Sequence, residues 1–402
     1  MIFEIIDPKQ NCKNIFLENQ IIENPDYDQL SKTWAYHPSL KGYDIRYASL
    51  YAQAHSLDEC CPSELKDDWE RIKQKHFAYI KSFQKGKCEF EDECFYDLVP
   101  STFVMDYFNI KSQITAHVLG NYPKPENYDF LVDLSQLLSQ IRNRKLDINP
   151  EVLVPQLHHL RVRNFHTKIS SCRPVIDYNM FGTITGRLTT YKNSFPILTM
   201  NKDYRAIIEP KNDWFIELDF NAAELRCLLA LNDEPQPTED MHTWHGSILN
   251  KLSDHNLDRD DIKRKIFGWL YGPLDSSLGI PQIEKYYDKR KALKKYWNSL
   301  SEQIINPFGR KIKADEFHAL NALIQSTTSD TFLRRAIAVN KLLKNKKSFT
   351  SALIHDSMVI DFDKNEKGLL DELIKEFGNT NLGLFKVNAS LGTNFGNMRK
   401  FR

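Results

Sequence analysis

No apolar stretch in the 402 residues approaches the length needed to cross a bilayer as a helix. The first residues, Met1 to Asp7, lack the basic start and long apolar run of a secretory signal. Cysteine is sparse and odd in number: seven residues, at 12, 60, 61, 88, 94, 172 and 227. That distribution excludes the paired framework of a small secreted domain. Cys60, Cys61, Cys88 and Cys94 do not follow a usual zinc spacing. Net charge is nearly absent, with 54 Lys and Arg against 53 Asp and Glu, so bulk charge does not announce a nucleic-acid binder. Internal repeats and a long polar tail are also missing. A cytoplasmic protein with no membrane partner is the expectation.

What is present is a large supply of core. A hydrophobic content of 41% over this length supports two or three sub-domains. Basic residues concentrate locally, at 285–295 and 334–347. A strand is expected at Ile2–Ile6 and a charged helix from about Glu64 to Phe83. Inside that helix, Asp68-Trp69-Glu70 has the acid spacing of some nuclease sites, but its surroundings read as a solvated face. Residues 95–145 are mainly helical in pattern, with Phe130, Leu131, Leu134, Leu137, Leu138 and Ile141 on one face. Short strands and turns follow over 165–220, including Thr185-Gly186-Arg187-Leu188, where glycine allows close backbone approach beside an Arg.

Residues 214–226 change period part-way. Phe215, Ile216 and Leu218 suit a strand, whereas Ala222, Ala223, Leu225, Leu228 and Leu229 suit a helix starting near Asn221. Asp219 stands at the changeover. Taken alone, Asp219 or Asn221 reads as a helix cap. From Asp258 to Tyr271 a helix is expected in which Arg259, Lys263, Phe267 and Tyr271 recur every four residues, along one drifting face. Two cations followed by two aromatics suit a triphosphate and a stacked base, and also an ordinary exposed helix. Lys285 to Leu300 interleaves aromatics and bases on one expected helix. Ser351 to Asp361 reads as a hairpin with His355-Asp356-Ser357 at its tip. A helix over 365–378 and a strand over Leu384–Leu391 close the chain.

Taken together, these segments resemble the polymerase domain of family A DNA polymerases. Motif A of that family is similar to Asp219-Phe220-Asn221-Ala222-Ala223-Glu224-Leu225-Arg226. Motif B is matched by Arg259, Lys263, Phe267, Gly268, Tyr271 and Gly272, and motif C by His355-Asp356. Thr185 to Leu188, and the Asn321 and Gln325 pair, match two further blocks. The five blocks fall in the family's order.

The resemblance implies an α+β right-hand polymerase, with an antiparallel palm sheet and helical fingers and thumb. Residues 1–94 would be an N-terminal region of open role, 95–164 the thumb and 165–255 the first part of the palm. Residues 256–347 would form the fingers and the return to the palm, and 348–402 the second part of the palm. It implies a template-directed DNA polymerase that adds dNTPs to a primer 3′-hydroxyl. Asp219, Asp356 and the Phe220 carbonyl would hold two Mg²⁺ ions, for which Mn²⁺ can substitute. Glu224, His242, Arg259, Lys263, Phe267 and Tyr271 would meet the incoming nucleotide, with Glu224 excluding a 2′-hydroxyl. Arg187, Gly272, Asn321, Gln325 and His355 would meet primer–template DNA. A separate exonuclease, a helicase–primase and a processivity factor are candidate partners. A compact chain of this kind suggests a phage or related mobile-element replicase, acting in the host cytoplasm if phage-encoded.

The chain departs from the pattern at several positions. Ser357 replaces the Glu that usually follows the motif C Asp, and Ala222 replaces a Gln. Phe317 stands for an Arg, Ser326 for a Gly and Phe395 for a Trp. About 90 residues precede the thumb, too few for a proofreading nuclease of this kind, so none is expected. A single-subunit RNA polymerase is the enzymatic alternative, disfavoured by Glu224. A catalytically inactive DNA-binding module is the other alternative, disfavoured by the joint presence of Asp219, Asp356, Arg259 and Lys263.

Overall fold

The computed structural model describes residues 2–6, 14–40, 42–43, 45–53, 55–88, 90, 93–249 and 259–402. Cys12, Asp258 and the loop leading to Arg259 lie outside those residues, as does the Arg259 side chain. The chain divides into two compact units, Met1–Asn143 and Arg144–Arg402.

In the first unit three short strands, β1 (Phe3–Ile5), β2 (Ile15–Leu17) and β3 (Gln20–Ile22), form an antiparallel sheet in that order. Three long helices follow among the described residues: α1 (Lys66–Lys85), α2 (Ser101–Asn121) and α3 (Tyr128–Arg142). The apolar stripe expected on α3 is buried from Phe130 to Ile141. Each fully buried side chain of this size contributes about 1.5–3 kcal/mol. Asp68 and Glu70 lie exposed on α1, paired with Arg71 at 2.6 Å and Lys73 at 2.7 Å. Between them Trp69 turns inward. Glu4 is buried in β1, and burial raises its pKa. Lys111 at 3.2 Å and the Thr115 hydroxyl at 2.9 Å compensate it. Cys60, Cys61 and Cys88 are free thiols here, whereas Cys94 is disulfide-bonded.

The second unit is built on a five-stranded antiparallel sheet. Its strands are β4 (Trp214–Phe220), β5 (Phe349–Ile354), β6 (Ser357–Phe362), β7 (Val387–Gly392) and β8 (Arg399–Lys400). They lie in the order β5-β6-β4-β7-β8. The strand bearing Asp219 is therefore central, although its neighbours come from more than 130 residues later. Alternation along β4 sends Ile216, Leu218 and Phe220 to one face. There Phe220 stacks on Phe377 of α10 (Leu370–Gly378) with ring centres 4.4 Å apart. The outer edge of β5 is fastened by Tyr178, whose hydroxyl donates to the Leu353 carbonyl at 2.7 Å and accepts from the Leu353 amide at 2.9 Å.

The same unit contains the helices α4 (Leu160–Ser171), α5 (Ala223–Leu231), α6 (Met241–Leu249), α7 (Arg259–Leu270), α8 (Lys289–Tyr296) and α9 (Glu316–Leu342). One apolar cluster joins Leu225 and Leu228 of α5, Ile262 and Ile266 of α7, Leu293 of α8 and Leu323 of α9. Asp315 caps α9 by accepting from the His318 amide at 2.9 Å. The middle of α9 is buried although it reads Ser326 to Thr331. Thr327 and Thr331 each donate to the carbonyl four residues back at 2.7 Å, and Ser329 donates to the Gly186 carbonyl at 2.8 Å.

Two local expectations are corrected. Neither Asp219 nor Asn221 caps α5. The cap position is Ala222, in the left-handed region at φ 53°, with no side-chain cap bond. The helix expected over Lys285–Leu300 stops at Tyr296. Trp297-Asn298 instead pairs with Gln303–Ile305, which pairs with Lys311–Lys313. The Trp297 indole donates to the Ala314 carbonyl at 3.0 Å, a bond that a continued helix would forgo.

Candidate functional site

The sheet brings the two acids to one end. Asp219 lies opposite Ser357 across the β4–β6 ladder, and His355-Asp356 forms the two-residue turn that closes the Ile354–Ser357 pair. His355 is exposed and takes a positive φ of 55°, which lets so short a turn close. On the other side of β4, Asn388 of β7 is opposite Asp219 and donates to its carboxylate at 3.3 Å. Phe220 follows directly as the last residue of β4. The next carbonyl along, that of Asn221, already accepts from the Arg226 guanidinium at 2.8 Å.

Burial first, and the Asp356 carboxylate second, push Asp219 up to about 7. Burial and then the Glu224 charge raise Asp356 as well. Like charges sharing a partly desolvated corner resist joint ionisation. A pH consequence follows. Asp219 binds its proton more tightly in the folded chain than in the unfolded one. Its contribution to stability is therefore complete below the ordinary Asp value of about 3.9 and is lost as pH rises through about 7. In chelator-treated protein, the thermal midpoint of wild type minus that of Asp219→Asn should fall steadily across this window. A flat difference would contradict the assignment.

Glu224, on the first turn of α5, is held from two sides. Arg187 donates to one oxygen at 2.5 Å, and the Tyr271 hydroxyl donates to the other. Tyr271 lies just beyond α7 and is 41% exposed, so this network reaches the surface. Burial and the adjacent Glu224 charge raise the Tyr271 pKa, so the phenol stays a donor. Phe267 stacks on Tyr271 with ring centres 6.2 Å apart and lies 6.1 Å from the ring of the buried His242. Lys263 is exposed on α7, opposite the buried face of Ile262 and Ile266. Arg259 opens the same helix.

The remaining candidates fall on α9 and two turns. Asn321 and Gln325 are one helical turn apart and bonded to each other at 2.6 Å. Phe317, a further turn back, is 78% exposed. A side chain at Gly272 would press on the Gly268 carbonyl at 3.1 Å. Gly186 takes φ +78°, and a Cβ there would lie 2.5 Å from the Arg310 guanidinium. Its close backbone approach is thus to the protein's own Arg310, which forms a bidentate pair with Asp330 at 2.6 and 2.9 Å.

No family model matches the chain, and no curated protein matches it. Among solved structures it is similar to the POL domain of Pol1 from M. smegmatis in complex with DNA primer-template and dNTP. That similarity has a TM-score of 0.63 at 12% identity and covers 99% of this chain and 96% of the other. The chain has the fold of a DNA polymerase domain.

Within this polymerase-domain fold the donor chemistry at the sheet end is suited to a hard cation. Asp219, Asp356 and the Phe220 backbone offer oxygen only, which Mg²⁺ prefers while retaining water. Among the described residues no group of three or more His, Cys, Asp or Glu has the geometry to hold a metal ion. A cation here would take two side-chain carboxylates and fill its shell with backbone and water oxygens.

Two structural residues carry no role in the sequence analysis. Arg226 is fully buried, and its guanidinium donates to the carbonyls of Asn221, Pro237 and Glu239, each at 2.8 Å. A charged residue ending an apolar helix pattern gives no sign of this in sequence. Asn388 could have been found only through strand register.

Proposed function

We propose that this chain is a template-directed DNA polymerase of the family A kind, transferring dNTPs to a primer 3′-hydroxyl. The observation that carries it is the joint placement of Asp219 and Asp356 at one end of the sheet, in a fold similar to a DNA polymerase domain. On this reading the sheet and α4–α10 contribute palm and fingers. Asp219 and Asp356, with the Phe220 carbonyl, would hold two Mg²⁺ ions. When bound, these ions supply activation of the primer hydroxyl and charge stabilisation at the phosphates. Phosphoryl transfer demands mainly positioning and cationic clamps. Lys263, exposed on α7, would supply one clamp, and Arg259, at the start of that helix, the other. Phe267 and Tyr271 offer the stacked surface against which a base and sugar can rest. Asn321 and Gln325 present amides to the minor-groove edge, where base pairs differ little. His355 lies at the turn that carries Asp356, near the position of the primer end. Proofreading is assigned to no residue of this chain.

Glu224, held by Arg187 and Tyr271, leaves no slack for a 2′-hydroxyl, which favours deoxynucleotides over ribonucleotides. Extension of a primed template in Mg²⁺ with dNTPs, and not with rNTPs, tests both halves. Glu224→Ala should raise rNTP incorporation relative to dNTP by about tenfold or more, the discrimination that a single well-placed contact supplies. Unchanged sugar choice would remove Glu224 from this role. Failure of wild type to extend with either set would overturn the proposed function.

A further inference from the structure

Glu217 has no part in the site as described so far, yet β4 places it there. Strand alternation puts Phe215, Glu217 and Asp219 on one face, with Val359 and Ser357 opposite Glu217 and Asp219. Ser357 is buried, and its hydroxyl lies 3.2 Å from Oε1 of Glu217 and 3.1 Å from the Ile354 carbonyl, its two acceptors. One hydroxyl therefore spans from the strand of Asp219 to the turn of Asp356. A carboxylate two residues from Asp219 on the same strand face sets two like charges side by side. Lys202 feels the Asp219 charge from an exposed position. Arg205 feels the Glu217 charge but lies 4.7 Å over the Phe395 ring. Arg187 is paired with Glu224.

Resting on the Asp219–Asp356 reading above, we infer that Glu217 is a positioning residue for the divalent cation those two acids would hold. It sets the hairpin tip through the Ser357 hydroxyl and adds negative charge just outside the coordinating oxygens. Residue 357 carries no acid in this chain, and Glu217 supplies one from the adjacent strand, diagonal to it in the ladder. Diagonal neighbours on one sheet face stay within reach of long side chains. Partners just outside the coordinating oxygens orient ligands and tune affinity.

The test is Mn²⁺ binding to the whole chain, read by calorimetry and by electron paramagnetic resonance, without nucleotide. Glu217→Gln should weaken Mn²⁺ binding about tenfold, the lower end of the usual cost of losing such a partner. The double variant Glu217→Gln, Ser357→Glu should recover most of that loss, because it restores an acid on the same face. Wild-type affinity in Glu217→Gln, or no recovery in the double variant, overturns the inference. Asp219→Asn is measured in parallel. If it too binds Mn²⁺ as wild type does, the two-acid reading fails; if it alone loses binding, only the role of Glu217 fails. Should Glu217→Gln not fold, Ser357→Ala keeps the carboxylate and removes the link. It should weaken binding a few-fold, and unchanged affinity there would overturn the inference.

Discussion

Asp219→Asn and Asp356→Asn should each lower single-nucleotide incorporation by on the order of a thousandfold while leaving duplex affinity nearly intact. Asn keeps the shape of the carboxylate and removes its charge, so the strand and turn persist. The neutral amide cannot balance a hard cation as the carboxylate does. Fold stability should move the other way for Asp219. Its carboxylate is strained towards protonation by burial and by Asp356, so replacing it relieves a cost in cation-free protein at neutral pH. Lost activity with a raised thermal midpoint is hard to obtain from a damaged fold. Quench-flow incorporation, a fluorescence-anisotropy duplex titration and a melting curve on the same preparations decide it. Activity within tenfold of wild type in either variant would detach that acid from the chemistry.

Arg226→Met should be among the most destabilising single changes in the second unit, by about 3–5 kcal/mol, the cost of breaking a buried charged network from one side. Methionine fills much of the volume, so the loss is mainly polar. Three carbonyls, at Asn221, Pro237 and Glu239, lose their donor in a place water does not reach. Burial lowers the Arg226 pKa to about 10, still well above neutral, so the group enters the fold charged. The Asn221 side chain belongs to the same network, accepting from Arg226 at 3.3 Å and from the Met241 amide at 2.8 Å. Loosening it frees the segment between Asp219 and Glu224, so activity should fall together with stability. Urea unfolding measures the first, and a loss below about 1 kcal/mol would show that water or a neighbour replaces the guanidinium.

Much of this architecture was legible because local patterns and tertiary demands agree. The alternation at Phe215 to Leu218, the hairpin around Asp356 and the stripe on α3 all appear where the residues place them. Proximity of Asp219 to Asp356 was reachable only through the resemblance, since no local pattern specifies which distant strands pair. What escaped sequence reasoning depends on three-dimensional neighbours. Ala222 adopts a left-handed cap that its side chain does not favour, because Arg226 and Asn221 hold the backbone there. Trp297 leaves its helix for a carbonyl on a strand connection. Glu217 looks like one polar residue in a strand until register sets it beside Ser357. The small β1-β2-β3 sheet has strands of three residues each, too short for a period to declare itself.

The central place of β4 has a consequence for how the two acids are placed. Asp219 is flanked by ladders on both edges, so a slipped register would send it to the opposite face along with every apolar partner. Asp356 lies on the turn itself, between Ile354 and Ser357, and belongs to no ladder pair. Of the two acids, one is placed by strand register and the other by a two-residue turn. Ser357, next to the acid on the turn, meets Asp219 across the ladder with a hydroxyl.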